Sequence, residues 1–175
     1  MFFKNQSCAN VLEEDQNKFV GLYIYDTDLS KINLSEKKFY GCTFKRCTFN
    51  KNKIHNLFCR MCLFEFSNFN ETTFEECDIK FSSFSGSILN NVLFANSNII
   101  QTNFNGIYAS KTTYDDVDLY ASRFIRSSFS NVIFSNCNVK KSVFWECQNH
   151  EMNFKTSNTR EAIFDKNGSS LSKGK

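Results

Sequence analysis

The sequence predicts an all-β solenoid, and three observations carry that prediction. Every fifth position from Phe19 to Phe164 is apolar almost without a break, and this register holds sixteen of the chain's 21 Phe. A spacing of five matches neither the 3.6 of a helix nor the 2.0 of a strand, so the backbone must turn a corner every five residues and stack its turns. Positions twenty apart also share chemistry. Ile24, Phe44, Phe64, Phe84, Phe104, Phe124, Phe144 and Phe164 form one series, whereas Phe19, Phe39, Cys59, Ile79, Ile99, Leu119, Val139 and Thr159 form another with no Phe after its second member. If a coil takes twenty residues, each series stacks as one column, and this segregation is what like residues stacking along one wall would produce. The chain also has no Pro and only six Gly, which leaves little for flexible linkers.

Each unit hides two residues. The large one lies on the register, and two positions before it stands a small one: Cys42, Cys47, Cys62, Cys77, Cys137 and Cys147, or Ser at Ser67, Ser82, Ser87 and Ser127. The other three positions are mostly polar. Representative units are Cys42-Thr43-Phe44-Lys45-Arg46, Ser67-Asn68-Phe69-Asn70-Glu71 and Thr102-Asn103-Phe104-Asn105-Gly106. The cysteine placement marks reduced packing residues of a cytosolic protein rather than a disulfide framework.

This pattern resembles the pentapeptide-repeat family, whose units run small, Asn or Asp, Leu or Phe, then two polar residues; it extends over residues 17–166 without an insertion. The resemblance implies a right-handed, four-sided β-helix with four units per coil. Thirty units at four per coil give about 7.5 coils, and at ~4.8 Å between hydrogen-bonded strands the rod is roughly 36 Å long. Residues 1–16 precede the repeat as an N-terminal cap, in which Ala9 to Asn17 is expected to form a short helix. Residues 167–175, rich in Ser, Lys and Gly, are expected to be a disordered tail. With little tail to cover it, the last coil is expected to be shielded by a second copy, through Val143, Trp145, Ile163 and Phe164.

The period assigns each outward residue to a side. Over the Phe39, Cys59, Ile79 column lie Lys18, Lys37, Lys38, Arg60, Lys80, Lys140, Lys141 and Arg160 against Asp78, Asp118 and Glu161, a balance of +5. Over the Leu34, Ile54, Phe74 column lie Glu36, Glu75, Glu76, Asp115 and Asp116 against Lys53 and Lys155, a balance of −3. The whole chain carries only +3, too little to argue for direct contact with nucleic acid. The basic side also presents Tyr40, Phe58, Met61, Phe81, Ile100 and Tyr120 outward. Together with Arg60 and Lys80 these make a candidate protein-binding face. The alternative is that they only stabilise their cross-strand neighbours.

Chemistry for catalysis is missing from the pattern. His55 and His150 fall on different sides about five coils apart, no Gly-rich phosphate loop is present, and Cys59-Arg60-Met61-Cys62 has both thiols on inward positions with no second pair to complete a metal site. No cofactor or metal is expected. No run approaches the ~18–20 apolar residues of a membrane span, and the first residues lack the marks of a signal peptide.

Two functional expectations follow, neither of them enzymatic. The first is a rigid protein-binding scaffold in the cytoplasm, or a bacterial effector exported by a specialised system and aimed at a host protein; similar repeats occur in such effectors. The second comes from the branch of the resembled family that binds DNA gyrase or topoisomerase IV and protects against quinolones or toxins by imitating duplex DNA. Glu36, Glu75, Glu76, Asp115 and Asp116 are the candidate acidic face for that role. This chain departs from that branch in its positive charge, its lack of an inserted loop and its Ser/Lys/Gly C-terminus.

Overall fold

A computed structural model describes residues 10–164. They form a parallel β-solenoid of about seven turns. Its strands are short, beginning with Lys18–Val20 and ending with Ile163–Phe164, and most span three residues centred on a register position. Pairing is offset by twenty throughout: Phe19 faces Phe39, Phe39 faces Cys59, and Cys59 faces Ile79. Phe69 faces Leu89 and Leu89 faces Ala109 in the same way. Near the C-terminal half, strands run through a corner and lengthen, as in Leu93–Asn98, Thr113–Asp118, Ser128–Ser135 and Gln148–Lys155.

Corners form two residues after each register position. Every positive-φ residue lies there, from Asp26 (φ 50°) to Glu161 (φ 59°), joined by Gly21, Gly41, Gly86 and Gly106. Left-handed backbone is accessible to Asn, Asp and Gly at small cost and to other residues at a cost of about 1–3 kcal/mol each. The ladder offsets that cost: corner amides donate to carbonyls of the next coil, as Gly21 N does to Tyr40 O at 2.9 Å and Lys51 N to Asn70 O at 2.8 Å.

Inside, four ladders of register residues fill the tube. From Phe19 to Phe144 every one is buried. Phe44, Phe64, Phe84, Phe104, Phe124 and Phe144 stack face to face at 4.7–5.1 Å. A second stack runs Phe74, Phe94, Tyr114, Phe134 and Phe154 at 4.7–4.9 Å. The two stacks meet edge to face, with Phe84 and Phe94 at 86° and Phe104 and Tyr114 at 87°. Ring edges therefore meet ring faces across the tube while faces stack along it, both favoured arrangements.

The small inward position has its own chemistry. Ser67 Oγ donates to the Phe44 carbonyl at 3.2 Å and accepts the Cys47 amide at 3.0 Å. Ser87, Ser127 and Ser142 repeat the donation at 2.7–2.8 Å. Cysteine fills the same role more weakly: Cys62 Sγ lies 3.5 Å from the Phe39 carbonyl and Cys137 Sγ 3.3 Å from that of Tyr114. None of the seven described cysteines forms a disulfide, in keeping with their register. Burial pushes the thiols of Cys47, Cys77 and Cys137 up to about 11, so they stay protonated and unreactive.

The expected N-terminal helix is a single 3₁₀ turn, Asn10–Glu13. A segment of this length is marginal as an isolated helix, and the strand at Lys18 begins only five residues beyond the turn. Its Leu12 is 1% exposed and joins the core. The segments 1–9 and 165–175, including the tail expected to be disordered, lie outside the described residues. No helix among the described residues is long and apolar enough to cross a membrane.

Candidate protein-binding surface

The pairing register places the residues of the basic strip. Tyr40, Arg60 and Lys80 are successive partners in one row, and Lys38, Phe58 and Asp78 form the row beside it. The hydrogen bonds Phe81 N to Ile100 O and Gln101 N to Tyr120 O continue the first row to Ile100 and Tyr120. Met61 and Phe81 stand at the adjoining corner on consecutive coils, with φ of 54° and 56°.

These side chains divide into two groups. Tyr40 and Phe58 are half-buried, their rings 5.3 Å apart, and the Arg60 guanidinium lies 4.1 Å over Phe58. Arg60 also donates to Asp78 at 2.7 Å, which Lys80 approaches at 3.3 Å. Those two cations outweigh the cost of burying the Asp78 carboxylate and hold its pKa below the ordinary value. Ile100 and Tyr120 are half-buried as well. Cross-strand stacking therefore accounts for Tyr40, Phe58 and Arg60. Met61 and Phe81 are different: they are 63% and 53% exposed.

Positive charge on the strip is uneven along the rod. At its C-terminal end Lys140, Lys141 and Arg160 all lie within 4 Å of Glu161, at 3.4, 3.8 and 3.7 Å. At its N-terminal end no carboxylate among the described residues pairs with Lys18, Lys37 or Lys38; Lys18 lies 5.3 Å over the Tyr40 ring and Lys37 5.5 Å over that of Phe19.

The acidic residues Glu36, Glu75, Glu76, Asp115 and Asp116 are all exposed. Glu75 and Asp115 are separated by Ala95 in their row. Glu76 and Asp116 are likewise separated by Asn96 at the corner, and His55 approaches Glu76 at 3.5 Å. Carboxylates in each row thus stand two coils apart, about 10 Å.

At the C-terminal end, Val143 and Phe144 pair with Ile163 and Phe164. Trp145 and Ile163, 40% and 50% exposed, occupy outward positions on the side next to the basic strip, whereas Phe164 belongs to the internal stack, 5.3 Å from Phe144. Only Phe164 of the four faces the end of the tube by register.

Among the exposed apolar residues that the sequence assignment did not single out are Phe66, 56% exposed, and Leu63, 38% exposed. The column arithmetic places both outward on the strip next to Met61, but neither carries a charge pattern that would single it out. One open depression is lined by Asn131, Ile133 and Met152, and no group of three metal-ligating side chains occurs among the described residues.

Fold and repeat together define a β-solenoid repeat protein. The chain matches the model of the pentapeptide repeats, in eight copies, over residues 62–94, and its units there are pentapeptide repeats. Its fold is shared by the pentapeptide repeat protein Rfr23 of the cyanobacterium Cyanothece 51142, at 9% identity and a TM-score of 0.52, over 92% of this chain and all of that one. QnrB1, a plasmid-mediated fluoroquinolone resistance protein, aligns at 14% identity and a TM-score of 0.48, covering 84% of this chain and 81% of its own. HetL of Nostoc sp. strain PCC 7120, involved in heterocyst differentiation regulation, aligns at 10% identity and a TM-score of 0.42 over 83% and 86% of the two chains. No curated protein matches the sequence.

Proposed function

We propose that this protein is a non-enzymatic binding scaffold, a stiff rod that docks another protein through its basic and aromatic strip, working in the cytoplasm of the cell that makes it or of a host. The observation that carries the reading is Met61 and Phe81, large apolar side chains at left-handed corners. There they bear backbone strain and gain little burial, so their own fold derives no evident benefit from them. Arg60 and Lys80 flank them, and Lys18, Lys37 and Lys38 extend the strip toward the N-terminal end.

The exposed carboxylates favour a second reading, a mimic of duplex DNA that binds a type II topoisomerase. Against it stands their spacing, about 10 Å within a row where each DNA strand places a phosphate every ~3.4 Å of axis. Gyrase supercoiling assayed with and without a quinolone separates the two. Protection by the protein that disappears when Glu75, Glu76, Asp115 and Asp116 are changed to Lys would establish mimicry. The scaffold reading expects no effect on gyrase, together with a partner whose capture is lost in a Met61→Asn, Phe81→Asn variant. Association of two copies through the Phe164 end belongs to the same proposal; sedimentation of the purified chain tests it.

A further inference from the structure

We infer that the docking surface turns the corner at Met61 and Phe81 onto the next strip, and that its occupant is an acidic protein segment carrying apolar side chains. This rests on the scaffold reading above. Corner positions in this chain are mostly Asn, Asp, Glu, Lys, Arg or Gly, and only three among the described residues hold a large apolar side chain: Met61, Phe66 and Phe81. The three are neighbours. Met61 and Phe81 share a corner on adjoining coils, and Phe66 stands at the following corner of the Met61 coil. Between the two corners lie Leu63 and Glu65, whose carboxylate accepts from the Ser83 hydroxyl at 3.3 Å, and on the next coil the small residues Ser83 and Ser85, so the apolar corners stand on either side of a lower floor.

Phe66 is held in place rather than left to swing. A Cβ at Gly86 would meet its Cδ1 and Cε1 at 2.6 Å, so the ring lies against the Gly86 backbone of the next coil. The Lys45 ammonium stands 5.8 Å from the same ring. Glycine here does two things, taking a left-handed corner (φ 68°) and leaving room for the ring. The result is a fixed apolar ledge, of the kind that anchors interfaces.

The chemistry of the occupant follows from what surrounds the ledge. Backbone groups on this strip are taken up by the ladder, with Leu63 N on Cys42 O at 2.9 Å and Phe64 N on Ser83 O at 2.6 Å. A partner therefore gains no strand pairing and must be recognised by its side chains. Toward the N-terminal end, residues 17–56 carry eight Lys or Arg against three Asp or Glu. Of those eight, only Arg46 has a carboxylate within 4 Å among the described residues, Asp26 at 2.6 Å, and Lys31 acts on Asp28 from farther away. Toward the C-terminal end the floor continues for one coil as Asn103, Asn105 and Gly106, without charge, before Arg123 and Arg126, the latter paired with Glu146 at 2.6 Å. A segment running along the rod would seat apolar side chains on Met61, Phe66 and Phe81 and lay its carboxylates over Lys45, Lys38 and Lys18. Such complementarity sets both orientation and partner choice.

Selection of a random peptide display library on the whole purified chain tests this. The expected winners combine Asp and Glu with Leu, Ile or Phe. Their affinity, read by fluorescence polarisation, should fall at least tenfold for Phe66→Asn and for Phe81→Asn, and should weaken for Lys38→Glu and with added salt. Asn suits a left-handed corner, so these variants keep the fold, which circular dichroism would verify. Basic or uncharged winners that still depend on Phe81 would overturn the acidic occupant and leave the scaffold reading standing. So would winners that depend on Tyr40 and Arg60 but not Phe66. If no selected peptide responds to any of these variants, the inference and the scaffold reading both fail.

Discussion

The middle coils and the last described coil are built from the same repeat, yet only the middle is sealed. Phe104 is fully buried, stacked on Phe84 at 5.1 Å and on Phe124 at 4.9 Å, with Phe94 and Tyr114 edge-on. In the last described coil Asn149, Phe154 and Phe164 are only half-buried and Thr159 is exposed. Phe154 stacks on Phe134 alone and Phe164 on Phe144 alone. Burial in this architecture is thus not a property of a residue or its unit; it requires a coil or a cap on each side, and the first coil, Phe19 to Leu34, is buried with Leu12 in its core in place of a preceding coil. Polar Asn149 and Thr159 are tolerated on the register where one of those neighbours is lacking among the described residues.

The largest expected effect comes from breaking the period. One residue inserted after Phe94 moves every later ring out of its stack, and circular dichroism should report loss of the cooperative transition; the same insertion after Thr156 should leave melting nearly unchanged. Next, Phe104→Ala should cost about 3–5 kcal/mol in urea unfolding, whereas Phe154→Ala should cost about 1 kcal/mol. Equal costs would erase the distinction between the two regions. A smaller effect, of opposite sign, is expected inside the middle coils. Tyr114 is fully buried and its hydroxyl has no hydrogen-bond partner; burial raises its pKa far above the ordinary value. Tyr114→Phe should therefore stabilise the protein by about 1 kcal/mol.

A further effect, absent at neutral pH, is pH dependence. Cys47, Cys77 and Cys137 rise from 9.0 to about 11 on folding, mainly by burial. A raised value means the folded state holds the proton longer, so these thiols stabilise fully below pH 9 and lose that contribution as pH climbs toward about 11. Urea midpoints should fall across that window, and Cys77→Ser should flatten the fall, since Ser67 and Ser87 show serine filling the same hydrogen-bonding position. Cys147, only half-buried, should react with thiol reagents before these three.

Much of this architecture was legible because two periods constrain each residue. Spacing of five put Phe64, Phe84 and Phe104 inside, and spacing of twenty put them in one stack; both hold. The small inward position was legible as a size requirement, while its hydrogen bonds to carbonyls of the neighbouring coil emerge only from the ladder geometry. Local signals did worse. Ala9 to Asn17 has helix-compatible residues, but its length supports only the turn Asn10–Glu13. On the candidate surface the period gave positions but not exposure: it put Tyr40 and Phe58 outward without revealing that they cover one another. Phe66 was overlooked because its significance depends on Gly86, twenty residues later, and on Met61 and Phe81 across the strip.

The offset of twenty has a consequence for how such a chain changes over time. Removing or duplicating one whole turn, for instance residues 85–104, rejoins every wall in phase and alters the rod by only about 4.8 Å. Length can therefore be adjusted like the markings on a ruler, while the corner residues are rewritten one at a time with the interior untouched. Reach and recognition become independently adjustable traits of a single polypeptide.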